Sequence, residues 1–119
     1  MIQNRVDLTP ADIAALTSMV GEGLSTRASD LERHSHDESA FPSTLPAAVI
    51  MASSTDEISR VLAYCNAQRI PVVPFGAGTA LEGHVVHLFG GVSFDLTLLD
   101  RILEVRPNDL LVRVQAGVH

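Results

Sequence analysis

Lysine and tryptophan are absent from this chain of 119 residues, and Cys65 is its only thiol. Each shortage excludes something. A phosphate loop of the kind that ends in lysine and a hydroxyl residue cannot be built without lysine. A lone cysteine forms no internal disulfide, which fits a reducing compartment. Aromatic residues make up 4 % of the chain, so its core must be largely aliphatic. Positive charge is scarce as well. Eight arginines face fourteen acids, for a formal net charge of −6, and no basic run interrupts them. Nucleic acids and anionic membranes bind through clustered cations, so neither is an expected partner. The first ten residues lack the apolar segment of a secretory signal. No apolar run approaches the roughly 20 residues needed to span a bilayer. A cytoplasmic location with no transmembrane segment is expected, with peripheral membrane association left open for a longer parent enzyme.

What is present is enough apolar material for one domain: 46 % of residues are hydrophobic and 18 % charged. Residues 8–23 read as a helix. Thr9 is a good N-cap, Pro10 suits the first helical position, and Ile13, Leu16 and Val20 form one stripe. Residues 24–45 are polar and read as an irregular lead-in. His34, His36, Asp37 and Glu38 cluster there, but His-x-His followed by acids matches no zinc-site spacing, so a solvated loop without metal is expected. Residues 47–52 form a continuous apolar run, as in a strand buried on both faces. Residues 54–69 read as a helix opened by the Ser54/Glu57 capping box. Ile58, Val61, Leu62 and Cys65 share its apolar face, Cys65 as a small core residue. Val72–Phe75 is the next strand, making a right-handed parallel β-α-β unit. Residues 91–96 read as a third strand and 98–101 as one helical turn. Alternation over 102–106 and 110–116, around Arg106-Pro107-Asn108-Asp109, predicts an antiparallel hairpin with a type I turn. Leu103 and Val105 are expected to oppose Val112 and Val114.

The stretch PVVPFGAGTALEG, residues 71–83, carries the chemistry. An apolar strand opening into glycines brings the backbone close to a ligand, because glycine has no Cβ and tolerates positive φ. Successive amides in such a turn form a nest for phosphate oxygens. The spacing is G-x-G-x-x-x-x-G, so its third glycine is two places late for the dinucleotide fingerprint. Asp95 nevertheless stands at the distance of that motif's acid. A strand–turn with glycines for geometry alone remains an alternative. Residues 71–91 contain no arginine, so a bound pyrophosphate would be held by amide dipoles rather than by cations of the loop.

PVVPFGAGTALEGHV, followed by GGVSFDLTLLDRILEV and LLVRVQAGV, resembles the start of the FAD-binding domain of FAD-linked 2-hydroxy-acid oxidoreductases. These include cytochrome-type D-lactate dehydrogenases and the glycolate oxidase catalytic subunit. The similarity runs from about Pro46 to His119, and HDESAFPSTLPAAVI resembles the family's entry into its first strand. It implies an α+β fold of the vanillyl-alcohol-oxidase/PCMH type: a small parallel sheet with helices, then an antiparallel hairpin. Residues 1–45 would be the lead-in and 46–119 the N-terminal portion of the FAD domain. It also implies that Phe75, Gly76, Ala77, Gly78 and Thr79 hold the FAD diphosphate through main-chain amides. Glu82, Gly83 and His84 would lie further along the flavin side. Ala116 and Gly117 would make a later backbone contact, and residues 37–39 would run near the flavin. Thr79 stands where related flavoproteins carry the histidine that binds FAD covalently, so non-covalent FAD is expected, with His84 nearby. The family oxidises a D-2-hydroxy acid to the 2-keto acid and passes electrons to an acceptor. Its substrate-side residues lie downstream of this segment, so no catalytic residue is expected here. The alternative is a non-catalytic structural or interaction domain that keeps the fold without flavin.

Overall fold

The computed structural model describes residues 4–119. Thr9 caps the first helix, α1 (Pro10–Val20). Its hydroxyl accepts from the Asp12 amide at 3.1 Å, and Asp12 accepts in return from the Thr9 amide at 2.9 Å. The other Asp12 oxygen accepts from the Tyr64 hydroxyl at 2.8 Å. One carboxylate thus closes the cap of α1 and ties it to the helix α3 (Thr55–Gln68). These bonds hold the Asp12 pKa below the usual carboxylate value, the Thr9 amide contributing most.

The lead-in expected to be irregular is partly regular. Leu24–Ser25 is a short strand, β1, and Ala28–Arg33 a helical segment, α2. The two-residue strand has no periodicity of its own. It exists because it pairs antiparallel with β2 (Ala48–Met51), Leu24 opposite Ile50. Strands β3 (Val72–Phe75) and β4 (Val92–Asp95) complete a sheet of order β1-β2-β4-β3, in which β2, β4 and β3 run parallel. The expected β-α-β unit is therefore real in direction but not in adjacency. β4 lies between β2 and β3 and pairs with both: Ala48 and Val72 each face Val92. β4, buried along its whole length, takes the centre because it offers an apolar residue to the helix-covered face at every second position.

That face holds the core. Ala48, Ile50, Val92 and Phe94 meet Leu16 of α1 and Val61 and Cys65 of α3. Leu62 was expected there but is 42 % exposed. At the start of α3, Ser54 accepts from the Glu57 amide at 3.2 Å, while the Glu57 carboxylate accepts from the Ser53 amide rather than from Ser54. The helix ends on Arg69 in the left-handed conformation, φ 56°.

Beyond β4, residues 97–98 form a turn and not the expected helical turn. β5 (Ile102–Arg106) and β6 (Leu111–Val114) make the hairpin, joined by a tight 3-10 turn, Pro107–Asp109. Val105 faces Val112 as expected, whereas Leu103 falls in a bulge between Ile102 and Glu104.

Candidate functional site

Because β2, β4 and β3 are parallel, their carboxyl ends share one edge: Met51, Asp95 and Phe75 stand in one register row. Open α/β sheets bind ligands at such an edge. Here it opens into a cleft of about 380 Å³. One wall is the loop leaving β3, from Phe75 through Gly76 and Ala77 to Gly78. Met51, Asp95 and Thr97 line it as well, together with Arg33, His36 and Glu38. The loop contains no arginine, but the end of α2 brings one to the cleft.

Phe75 ends the ladder, its carbonyl accepting from the Leu96 amide at 3.0 Å. After it the pattern changes. Among the described residues, the amides of Gly76, Ala77, Gly78 and Thr79 donate to no main-chain acceptor. The two glycines differ in their reasons. Gly78 has φ +71°, and a Cβ there would lie 2.9 Å from the Phe75 ring, so the turn itself needs glycine. Gly76 has no such constraint, and a Cβ there would meet nothing within 4 Å.

Phe75, Gly76, Ala77 and Gly78 thus come together on the cleft. Thr79 follows, exposed, and does not line it. Glu82 and His84 are exposed, and Gly83 packs on the Phe41 ring; none of these three lines the cleft. The segment at 37–39 runs beside the loop: the Glu38 amide donates to the Ala80 carbonyl at 3.0 Å. Gly117 is occupied otherwise. Its amide donates to the Leu99 carbonyl at 2.8 Å, and a Cβ there would lie 2.1 Å from the Leu96 carbonyl oxygen. Close packing accounts for that glycine, and its amide is already bonded, whereas the Ala116 amide donates to no main-chain acceptor among the described residues.

Below the loop lies a pair that sequence reasoning missed. The His34 Nε2 donates to the Asp95 carboxylate at 2.8 Å, and its Nδ1 donates to the Asp30 carbonyl at 2.8 Å. Both partners are acceptors, an arrangement that favours the doubly protonated ring. Burial opposes that charge, but the bonds to Asp95 and Asp30 outweigh it and raise the His34 pKa. Burial likewise opposes the Asp95 charge, and His34 and Thr97 overcome it. The second Asp95 oxygen accepts from the Thr97 amide at 2.8 Å and its hydroxyl at 2.6 Å. Asp95 is therefore committed within the fold, which removes it as a ribose-binding acid. The His34 ring packs on Phe75 with centroids 4.3 Å apart, so the pair props the root of the loop. A polar lead-in gave no local sign of this, since the partner is far along the chain.

His87 is the second buried histidine, fully enclosed, with neither ring nitrogen hydrogen-bonded. Burial pushes its pKa down to about 4; the main chains of Gly90 and His34 pull the other way without reaching bonding geometry. Among the described residues, no three His, Cys, Asp or Glu side chains come together as metal ligands. No helix of the described chain is long and apolar enough to cross a membrane.

The family model described as FAD binding domain matches residues 46–119. The chain belongs to this family, whose cofactor is FAD. It is 36 % identical over 107 residues to a protein named probable mitochondrial D-lactate dehydrogenase from Danio rerio, covering 89 % of this chain and 22 % of that protein. It is 39 % identical over 85 residues to the glycolate oxidase subunit GlcD of Bacillus subtilis, covering 71 % of this chain and 18 % of that one. The chain thus spans about a fifth of the length of these relatives. Among solved structures, p-cresol methylhydroxylase with substrate bound superposes with a TM-score of 0.73 at 19 % identity, over 97 % of this chain and 24 % of that one. That likeness establishes the α+β FAD-domain fold expected from the sequence, with its parallel sheet followed by antiparallel strands.

Proposed function

We propose that the amides of Gly76, Ala77, Gly78 and Thr79 receive the diphosphate of a non-covalently held FAD at the carboxyl edge of the sheet. One observation carries this reading: four consecutive amides have no main-chain acceptor among the described residues, and the first three belong to residues that line the cleft. Amides left unpaired in a fold are costly unless water or a ligand meets them, and a nest of them suits phosphoryl oxygens. Phe75, the last residue of β3 and paired there with Asp95, would contribute its ring at the root of the loop. Glu82, Gly83 and His84 belong to the outer part of the loop, where the flavin end of the cofactor would extend. Thr79 offers no nucleophilic ring nitrogen, which supports a non-covalent cofactor.

The names of the relatives support a parent enzyme that oxidises a D-2-hydroxy acid, D-lactate or glycolate, to the 2-keto acid. FAD supplies the two-electron oxidation when bound, and the electrons pass to a separate acceptor. This chain's share is to bind and orient; none of its residues is assigned a catalytic role. The lone thiol, Cys65, is buried in the core and its pKa is raised, first by that burial. It is a packing group and not a nucleophile.

Gly76→Val tests the site. The backbone there accepts a side chain and the added atoms enter open space. The variant should fold as the parent chain does while FAD binding, read by flavin fluorescence, falls at least tenfold. Unchanged affinity would overturn the assignment.

A further inference from the structure

We infer that Arg33 is a phosphate-binding residue of this cleft, its guanidinium pairing with the nucleotide's diphosphate beside the glycine loop. The inference rests on the FAD reading above and adds a residue to it. Three observations carry it. Arg33 closes α2 and lines the same cleft as Gly76, Ala77 and Gly78. Among the described residues it reaches no carboxylate within 4.0 Å, as is also true of Arg5, Arg60, Arg69 and Arg101, but of these arginines only Arg33 lines the cleft. The other charges of the cleft do not pair with it. Asp95 already accepts three hydrogen bonds, one from His34 and two from Thr97, and forms no ion pair with Arg33. Glu38 lines the cleft but makes no salt bridge with it, and its amide is bound to Ala80. The cleft is therefore lined both by residues whose amides have no main-chain acceptor and by a cation with no carboxylate within 4.0 Å. A diphosphate carries acceptors enough for both, and a guanidinium matches phosphate oxygens in a two-pronged geometry that an ammonium does not.

Placing the cation on α2 rather than in the loop has a physical rationale. The loop must stay compact and rich in glycine for its amides to converge, and a long side chain inside it would occupy the ligand's space. The His34–Asp95 pair fixes the end of α2 against the root of the loop. It thereby sets the position of Arg33, the preceding residue.

The test compares three ligands on the same chain: FAD, ADP and riboflavin, with affinities from calorimetry and circular dichroism as a check of fold. Arg33→Ala should weaken FAD and ADP by roughly tenfold, as expected for loss of one charged hydrogen-bonding group, and leave riboflavin unchanged. Arg33→Lys should recover only part of the loss, and raised salt should narrow the gap between parent and Arg33→Ala. Equal FAD affinity in parent and Arg33→Ala would overturn this inference alone. Equal losses for riboflavin and ADP would also overturn it, by showing a packing effect. Failure of the unaltered chain to bind FAD or ADP would overturn both this inference and the reading on which it rests.

Discussion

His87→Met should remove an acid-sensitive liability from the fold. The parent ring is fully enclosed with both nitrogens unbonded, and burial holds its pKa near 4 instead of the ordinary 6.5. A base with a depressed folded pKa is neutral in the fold and protonates more readily in the unfolded chain. Its contribution is therefore intact above about pH 6.5 and is lost as pH falls toward 4. With those two values, linkage gives a loss of about 2 kcal/mol between pH 7 and pH 5, approaching about 3 kcal/mol below pH 4. Methionine is of similar volume, flexible enough to fill the site, and does not titrate. Parent and variant should be unfolded in urea at pH 7, 6 and 5. At a urea slope of 1–3 kcal/mol/M, the parent midpoint should fall by about 1 M relative to the variant over that range. At pH 7 the variant should equal or exceed the parent, because two buried unsatisfied nitrogens have gone. The difference between the two chains isolates His87 from His34 and the carboxylates, which titrate in both. A difference that does not change with pH would refute the reasoning, and would mean that His87 is solvated or paired in solution.

Asp12→Ala should cost about 2 kcal/mol by opening the α1 cap and releasing Tyr64, while Tyr64→Phe should cost about half as much; chemical denaturation at pH 7 measures both. Arg69→Gly should raise stability by about 0.5–1 kcal/mol, since the left-handed cap at φ 56° strains any residue with a Cβ; a lowered melting temperature would contradict it. His34→Leu should cost about 3 kcal/mol, because Asp95 would stay buried with only Thr97 beside it. The His34 contribution is complete below its unfolded pKa near 6.5 and fades as pH rises through its elevated folded value. The deficit of that variant should therefore narrow toward alkaline pH, as urea midpoints at pH 6 and 9 would register.

What could be read from the sequence was local. Thr9 with Pro10, and Ser54 with Glu57, mark helix starts because the capping groups lie within one turn of what they cap. Pro107 marks the hairpin turn because its ring fixes φ. What could not be read depends on partners far along the chain. β1 is two residues that acquire their conformation from β2, and α2 has no side-chain cap at Arg27 to announce it. The place of β4 between β2 and β3 follows from burial of the whole strand, which no window around residues 92–95 reveals. His34 looked like a loop residue because its neighbours are polar, yet its charge is satisfied by an aspartate 61 positions later.

The glycine loop shows where the boundary falls. Its spacing pointed to the proposed site, since Gly76 and Gly78 follow directly on an apolar strand. It could not say that the two serve different ends: Gly78 because the turn needs positive φ against the Phe75 ring, Gly76 because the space beyond it is open. That distinction decides which variant is informative. A branched residue at 78 strains the turn whether or not a ligand binds, so loss of flavin there would have two explanations. At 76 the fold tolerates the side chain, so a loss of binding would point to the space that the proposed site assigns to the cofactor. The same reasoning bears on the cation. Charge counted within residues 71–91 suggested amides alone, and only the packing of α2 against the strand ends brings Arg33 to the cleft.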